Sequence, residues 1–440
     1  MKNKHYDFLL NTCMPGPKGP VPLSQSVTHC TRCNSCVQSC PAYRNNPQEL
    51  FSPRGRVQTL RLLAERKLKI ENCQKQLTDL INSCMLCAHC TQACAVQIPV
   101  AHYMLTLNKI LQVQKPPRTL YLLLWIYNTN PELFDAFARY FLGLRRIGLV
   151  TLIQFFLPGW IRHLHHLLDK KARTLPALLR QDKADLTPAR PTLVYLPSVY
   201  ATYAQARAGQ QVCQLLKSKR VYVLLGYSSG LAEYLYGQAA WMQRAAKRVL
   251  TRWEKLAGRR GIDLVTDSIE VYSFLKHYPL LFAKLPGWQK RAERFAERVK
   301  FITEHPFPKN TNTLQQKIGL DSSSILYPAE WVIERARKIL LTNSQKNLLE
   351  CEYSRFPLPV AGLGLARRNL VEELVRQHVQ DIQRKEIADV YCLSGWAALE
   401  LNAALKFLYP KAHAQHLVFA HREYGRTEEG KHTAIRRREA

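Results

Sequence analysis

The sequence lacks any apolar run long enough to cross a bilayer. Its longest uncharged apolar stretch, Ile147 to Ile161, has 15 residues and contains Gln154, Pro158 and Gly159, short of the roughly 20 that a spanning helix needs. The opening MKNKHYDFLLNTCMPGPKGP is basic but has no apolar h-region, so no secretory leader is expected. Acidic residues are scarce, 33 against 63 Lys and Arg, leaving a formal charge of +30. Such a surface attracts nucleic acid, anionic headgroups or an acidic protein. The basic residues are spread along the chain, with only Arg436 to Glu439 dense, and no C2H2 spacing or RNP-like motif occurs. An acidic partner or the cytoplasmic face of a membrane is therefore expected, and no nucleic acid. Also missing are a Ser-His-Asp order, a Walker motif, a dinucleotide G-x-G-x-x-G and H-E-x-x-H. Without them the chain has no visible machinery to oxidise a substrate alone.

What it has is cysteine. Eight of the 13 cysteines form two quartets of identical spacing. Cys30, Cys33, Cys36 and Cys40 read C-x2-C-x2-C-x3-C before Pro41, and Cys84, Cys87, Cys90 and Cys94 repeat the pattern before Ala95. Three thiolates at i, i+3 and i+6 can wrap one [4Fe–4S] cubane, while the fourth reaches the other cubane in a two-cluster ferredoxin. This assigns Cys30, Cys33, Cys36 and Cys94 to one cluster and Cys84, Cys87, Cys90 and Cys40 to a second. Structural zinc uses four ligands in separated pairs, so two tight quartets supply too many thiolates in the wrong grouping. Disulfide frameworks belong to short secreted chains, and this one has 440 residues.

Length and a hydrophobic content of 47% allow two or three globular domains. Residues 1–28, rich in Pro, Gly and Ser, read as an irregular leader in which Cys13 is a bystander. Residues 29–110 read as a helical dicluster ferredoxin domain, because the insert between the quartets shows helical spacing. Val57, Leu60, Leu63, Ala64 and Leu68 mark one helix face, and Leu77, Leu80 and Ile81 another. Cys73 lies outside either quartet. Residues 111–190 form a helical connector and linker, read first as a layer packed on the ferredoxin and alternatively as an in-plane amphipathic membrane element. His163, His165 and His166 sit there in a basic segment with only Asp169 nearby, a poor metal set.

Strands alternate with helices thereafter. TLVYL, RVYVLL and IDLVT read as strands of one α/β module (191–310), with helices over 201–218 and 231–257. SSILY, NLLECEY, ADVYCL and HLVFA read as strands of a second (311–420), with helices near 331–341, 366–385 and 395–407. Residues 421–440 are a polar tail. The expected fold class is α+β multidomain: an N-terminal α-helical 2[4Fe–4S] ferredoxin domain, a helical connector, then two pseudo-repeated α/β modules with parallel sheets.

CTRCNSCVQSCPAY, then SPRGRV (from Ser52), then CMLCAHCTQAC together resemble the iron–sulfur subunit of bacterial glycolate oxidase. Similar modules occur in lactate-utilisation iron–sulfur proteins, the anaerobic glycerol-3-phosphate dehydrogenase small subunit and heterodisulfide reductases. Arg54 and Arg56 of SPRGR are expected near the clusters, where cations offset thiolate-bound iron; the alternative is an ordinary helix start with solvated arginines. The family's C-terminal half holds two cysteine-rich modules, each with an isolated Cys, a Cys-Cys-Gly turn and a further Cys. Here those places carry Ser198, then Ser228 and Ser229 before Gly230, then Glu270 and Val271, while the second module keeps only Cys351 and Cys392 with Val360 to Leu365 at the turn. Serine cannot replace thiolate as a soft iron ligand, so no cluster is expected over residues 192–420. Cys213, Cys351 and Cys392 read as buried apolar residues, with a Cys351–Cys392 redox pair as the sharper option.

The resemblance implies an electron-transfer subunit that takes electrons from a FAD-containing 2-hydroxyacid dehydrogenase subunit of glycolate or D-lactate type. It would relay them through two [4Fe–4S] clusters toward the respiratory chain. The implied location is cytoplasmic, with peripheral contact at the inner membrane face. The alternative is a non-catalytic redox-sensing or assembly scaffold that carries the two clusters.

Overall fold

The computed structural model describes residues 13–14, 21–113, 115–153, 156–157, 161, 165–168, 172–182, 186–258, 261–307, 316–324, 326, 330–343, 347–354 and 368–420. His163, Asp169, Val360 to Leu365 and Arg436 to Glu439 lie outside them. The described chain is helical around its cysteine quartets and carries two four-stranded parallel sheets beyond them, the α+β multidomain class read from the sequence.

A short antiparallel ribbon, β1 (Cys13–Met14) with β2 (Val21–Pro22), precedes the quartets. The insert between them folds as the helices Pro53–Ala64 and Gln74–Asn82, each burying the stripe its spacing marks: Val57, Leu60 and Leu63, then Leu77, Leu80 and Ile81. The helix Val100–Leu111 is buried over Val100 to Asn108 and joins the two halves of the molecule. On one side the Tyr103 hydroxyl donates to Ser26 Oγ at 2.6 Å. On the other, Asn108 Nδ2 donates to the Leu235 carbonyl at 3.3 Å, and His102 Nδ1 lies 2.9 Å from the Tyr234 hydroxyl.

The connector forms the helices Arg118–Thr129, Pro131–Arg146, Leu149–Ile153 and Leu175–Gln181. Asn130 caps the second of these by accepting from the Leu133 N–H at 3.0 Å. Many large apolar side chains here face solvent, among them Trp125, Phe137, Tyr140, Leu152 and Phe156. No described helix is long and apolar enough to cross a membrane.

The first sheet contains β3 (Leu193–Leu196), β4 (Val221–Val223), β5 (Asp263–Thr266) and β6 (Val299–Phe301), in the order β4-β3-β5-β6. The second contains β7 (Ile318–Asp321), β8 (Leu348–Glu350), β9 (Asp389–Cys392) and β10 (His413–His416), in the order β10-β9-β7-β8. Every neighbouring pair within these sheets is parallel. Counted within each module the order is 2-1-3-4, so the internal repeat is one of topology. The modules meet through the loops at the carboxyl ends of their strands. His416 Nε2 lies 2.9 Å from the Asp267 carbonyl, and a Cβ on Gly395 would fall 2.1 Å from Tyr200 Cδ1.

Four details depart from expectation. β6 was not foreseen, because VKF follows a strongly charged helical run without a turn. The strand expected at SSILY lies upstream at Ile318–Asp321, where Gly319, against which Ile387 and Val390 pack, dilutes the apolar signal. HLVFA is mostly a 3-10 turn, Leu417–Phe419, capped by His416, and the strand is HAQH before it. The helix expected over 231–257 breaks near Gly237, whose φ of +71° and close approach to Lys109 admit no larger residue.

Candidate metal centre

The two quartets wrap with the same backbone. Arg32 and Leu86, each just before the second cysteine of its quartet, adopt φ of 60° and 58°; Asn34 and Ala88, each just after it, adopt 71° and 58°. Non-glycine residues in this left-handed region cost roughly 1–2 kcal/mol each. Two loops that repeat the same pair of costs at the same offsets are shaped by one geometric demand, which is turning successive sulfurs to one side.

The fold then brings the fourth cysteine of each quartet toward the other quartet. Cys36 is within electrostatic range of Cys30 and Cys33 and also of Cys94 from the other quartet. Cys87 and Cys90 feel Cys84 and, from the first quartet, Cys40. A hollow lined by Cys40, Cys84, Cys87 and Cys90 is closed by Arg56, Met85 and Ala101. This second set is wholly buried; in the first, Cys30, Cys36 and Cys94 are half-buried and Cys33 is exposed. Among the described residues no three His, Cys, Asp or Glu side chains converge on a single ion position. A cubane gives each thiolate its own iron and so spreads its ligands more widely than one ion does.

The segment Ser52 to Arg56 fits around these loops residue by residue. Ser52 caps the following helix, its hydroxyl accepting from the Gly55 N–H at 2.8 Å, and Pro53 occupies the first turn. Gly55 is required because a Cβ there would sit 2.0 Å from the Glu49 carbonyl oxygen. Arg54 holds Glu49 through two bonds of 2.8 Å and reaches Asn34 in the first cysteine loop. Arg56 is 1% exposed; its Nη1 donates to Cys40 Sγ at 3.6 Å and its Nη2 to Ser83 Oγ at 2.9 Å. Arg56 is therefore a buried site residue, while Arg54 stays partly exposed and ties the helix start to the first cysteine loop.

Burial and the neighbouring Cys30 thiol push Cys36 up to about 11. Burial, then Cys40 and Cys84, raises Cys87, and Cys90 is raised by burial and the facing Cys87. Exposed Cys33 is lowered by hydrogen bonds from Ser35, whose hydroxyl is 3.3 Å away. Thiols held this high are protonated near neutral pH, and metal binding would release their protons. Burial works against the charge on Arg56, but the Cys84 and Cys40 sulfurs facing it leave it raised, and its Nε finds no partner. A fully buried cation with an orphaned N–H, set against four sulfurs, fits an anionic thiolate-bound cluster and fits four neutral thiols poorly.

The other sequence candidates stand apart. Cys73 is buried and donates to the Lys69 carbonyl at 3.1 Å. His165 is buried against Arg145, Nδ1 to Nε at 3.2 Å, with the His166 ring 5.3 Å away. Ser198 donates both its N–H and its hydroxyl to Asp267, at 2.8 and 2.5 Å. Ser228 donates to Glu233, and Glu270 is fully buried and bonded by Ser268 at 2.7 Å. Cys213 is only partly buried, while Cys351 and Cys392 are buried free thiols in one apolar cluster. Sequence reasoning missed what walls the second quartet. Leu326 N–H donates to the Leu86 carbonyl at 2.9 Å, Arg44 pairs with Glu352 at 3.0 Å, and Met85 packs on Val371 and Leu374. Long-range contacts of this kind leave no local periodicity to find.

Residues 26–98 match the family described as 4Fe-4S dicluster domain. Over 325 residues, 71% of this chain and 74% of the relative, the chain is 23% identical to the glycolate oxidase iron-sulfur subunit of Escherichia coli (strain K12). That similarity spans far more of the chain than the two cysteine quartets. Residues 26–98 are thus a 4Fe-4S dicluster domain, carried by an iron–sulfur protein that is similar over most of its length to the iron–sulfur subunit of glycolate oxidase.

Proposed function

We propose that this chain is the electron-transfer iron–sulfur subunit of a flavin-dependent 2-hydroxyacid dehydrogenase of glycolate or D-lactate type. Cys30, Cys33, Cys36 and Cys94 would hold one [4Fe–4S] cluster, and Cys84, Cys87, Cys90 and Cys40 the other. Such clusters carry one electron each at potentials set by burial, hydrogen bonds and nearby charge. What supports the reading is that Cys40 shares one hollow with Cys84, Cys87 and Cys90, while Cys94 lies within electrostatic range of Cys36. Two one-electron sites side by side suit a donor that gives up two electrons at once, as a reduced flavin does. The exposed loop of Cys33 offers the partner a docking face, and Arg32 on it favours an acidic surface. The buried set faces inward.

The solvent-facing apolar residues of the connector, on a strongly basic chain, favour peripheral contact with the cytoplasmic membrane face and electron delivery toward the respiratory chain. Co-purification tests the function. A FAD-containing dehydrogenase should accompany the full chain, and glycolate or D-lactate should bleach the cluster absorbance of the complex. If no flavoprotein associates and neither acid reduces the clusters with candidate partners, the chain is a scaffold instead.

A further inference from the structure

The helix Val100–Leu111 reaches both cysteine sites, and His102 stands between its two points of contact. Ala101 walls the buried hollow beside Cys40, Cys84, Cys87 and Cys90. Tyr103 lies within electrostatic range of Cys30 and Cys94. The side chain of His102 enters the first α/β module instead. There its Nδ1 lies 2.9 Å from the Tyr234 hydroxyl, and its ring centre lies 5.0 Å from that of His277. His102 is buried, whereas His277, which follows the helix Ile269–Lys276, is partly exposed. Two imidazoles thus lead from solvent to the neighbour of a residue that walls the buried quartet.

His277 Nδ1 lies 2.6 Å from the Ser273 carbonyl, so that nitrogen carries a hydrogen and donates it, which leaves Nε2 with a lone pair. Burial pushes both imidazoles down, and His277 adds to the effect on His102. Charged groups on the surrounding elements are engaged elsewhere. Glu233, beside Tyr234, accepts from Asn128 at 2.5 Å, and Glu270 accepts from Ser268 at 2.7 Å. Lys276 donates to the Ala296 carbonyl at 2.6 Å and lies over the Tyr272 ring, while Lys109 is held near Lys284. The Tyr278 hydroxyl donates to the Ser229 carbonyl at 2.6 Å. Among the described residues no carboxylate or cation acts on either imidazole. The charge that changes next to this pair is that of the thiolate-bound iron, more negative by one electron after reduction and weakly screened inside protein.

We propose that the His102–His277 pair takes up a proton when the buried cluster is reduced, with His277 as its entry from solvent. One electron from the reduced flavin donor goes to iron, and one proton from water forms a new N–H bond at His277 Nε2. No protein bond breaks. The inference rests on the electron-transfer function proposed above and deepens it by coupling that transfer to pH through two named residues.

The test is an EPR-monitored redox titration of the full chain with its clusters reconstituted, using dithionite and mediators in place of any flavoprotein. Protonation favours the reduced state, so one of the two cluster potentials should rise as pH falls from about 8 to about 5.5. Its reduction should become at least threefold more favourable over that range, about 30 mV. His102→Gln and His277→Gln should each flatten that slope at unchanged iron content and leave the other cluster's profile as it was. His277 is partly exposed, so its variant carries the test if the buried one fails to assemble. Potentials independent of pH, or a slope that survives in His277→Gln, would overturn the proposal. Because no partner takes part, a histidine-dependent slope in a chain that no flavoprotein reduces would remove the proposed function and leave the proton site standing. Reduction by a flavoprotein with potentials flat in pH would do the reverse.

Discussion

Replacing Arg56 with Met removes a buried cation from the Cys40 side of the hollow while roughly keeping the volume. The guanidinium stands 3.6 Å from Cys40 Sγ, where two unit charges at an effective dielectric of 20 interact by about 4–5 kcal/mol. An added electron is spread over a whole cluster and is on average farther away, so about half of that, ~2 kcal/mol, is the expected difference between redox states. At about 59 mV per tenfold change for a one-electron couple, this is on the order of 100 mV. The sign follows from charge: losing a cation favours the less negative, oxidised cluster, so the potential falls. In an EPR-monitored redox titration of Arg56→Met the buried cluster should titrate ~100 mV lower, with the exposed one nearly unmoved. Arg56→Lys keeps the charge but not the fork geometry, and should recover more than half of the shift. Breaking a buried pair also typically costs about 3–5 kcal/mol, so the Met variant should melt earlier. If it fails to assemble, the Lys variant still carries the comparison. An unchanged or raised potential at full iron content would refute the electrostatic role assigned to Arg56.

Three further perturbations test other parts of the molecule. Gly55→Ala places a Cβ 2.0 Å from the Glu49 carbonyl and should cost about 1–3 kcal/mol in urea unfolding with some loss of iron; a loss within 0.5 kcal/mol of zero would show that the loop yields freely. Asp321 is pushed up to about 7 by burial, with Glu270 nearby, and His378, 3.5 Å from it, is lowered to about 4 by burial. The raised carboxyl binds more protons folded than unfolded, so its ionisation erodes stability as pH rises from about 4 to 7; the lowered His378 gives the opposite slope from about 4 to 6.5. Asp321→Asn should therefore gain on the parent by ~1–3 kcal/mol between pH 5 and 8, and a flat difference in thermal denaturation would contradict the burial effect. Ser228→Ala and Ser229→Ala should leave iron content unchanged; iron lost from either would mean that the first α/β module holds metal.

The parts of this molecule that the sequence reveals are those governed by local chemistry. The quartets need fixed spacing to wrap a cluster, so Cys30 to Cys40 and Cys84 to Cys94 are visible at once. Helices with one apolar stripe, such as the one carrying Val57, Leu60 and Leu63, announce their buried face. The parallel order of both modules follows from alternation of strands and helices. What stayed hidden depends on distant contacts. Gly319 interrupts the apolar signal of β7 because Ile387 packs over it, and Gly237 breaks a helix because Lys109 crosses there. The left-handed residues Leu86 and Ala88 carry no turn signal of their own, since the cysteines beside them dictate the loop.

The most direct measurement is on Cys94→Ser, by iron analysis and by EPR of the reduced protein. Crossed ligation expects iron to fall from about eight to about four per chain, with the exposed cluster lost and the buried one retained. The survivor identifies itself through a second ligand: Cys33 shares the cluster of Cys94 only when ligation is crossed, so adding Cys33→Ser to Cys94→Ser should leave about four irons per chain. If the double variant loses nearly all its iron, Cys94 serves its own quartet and the crossed assignment is wrong.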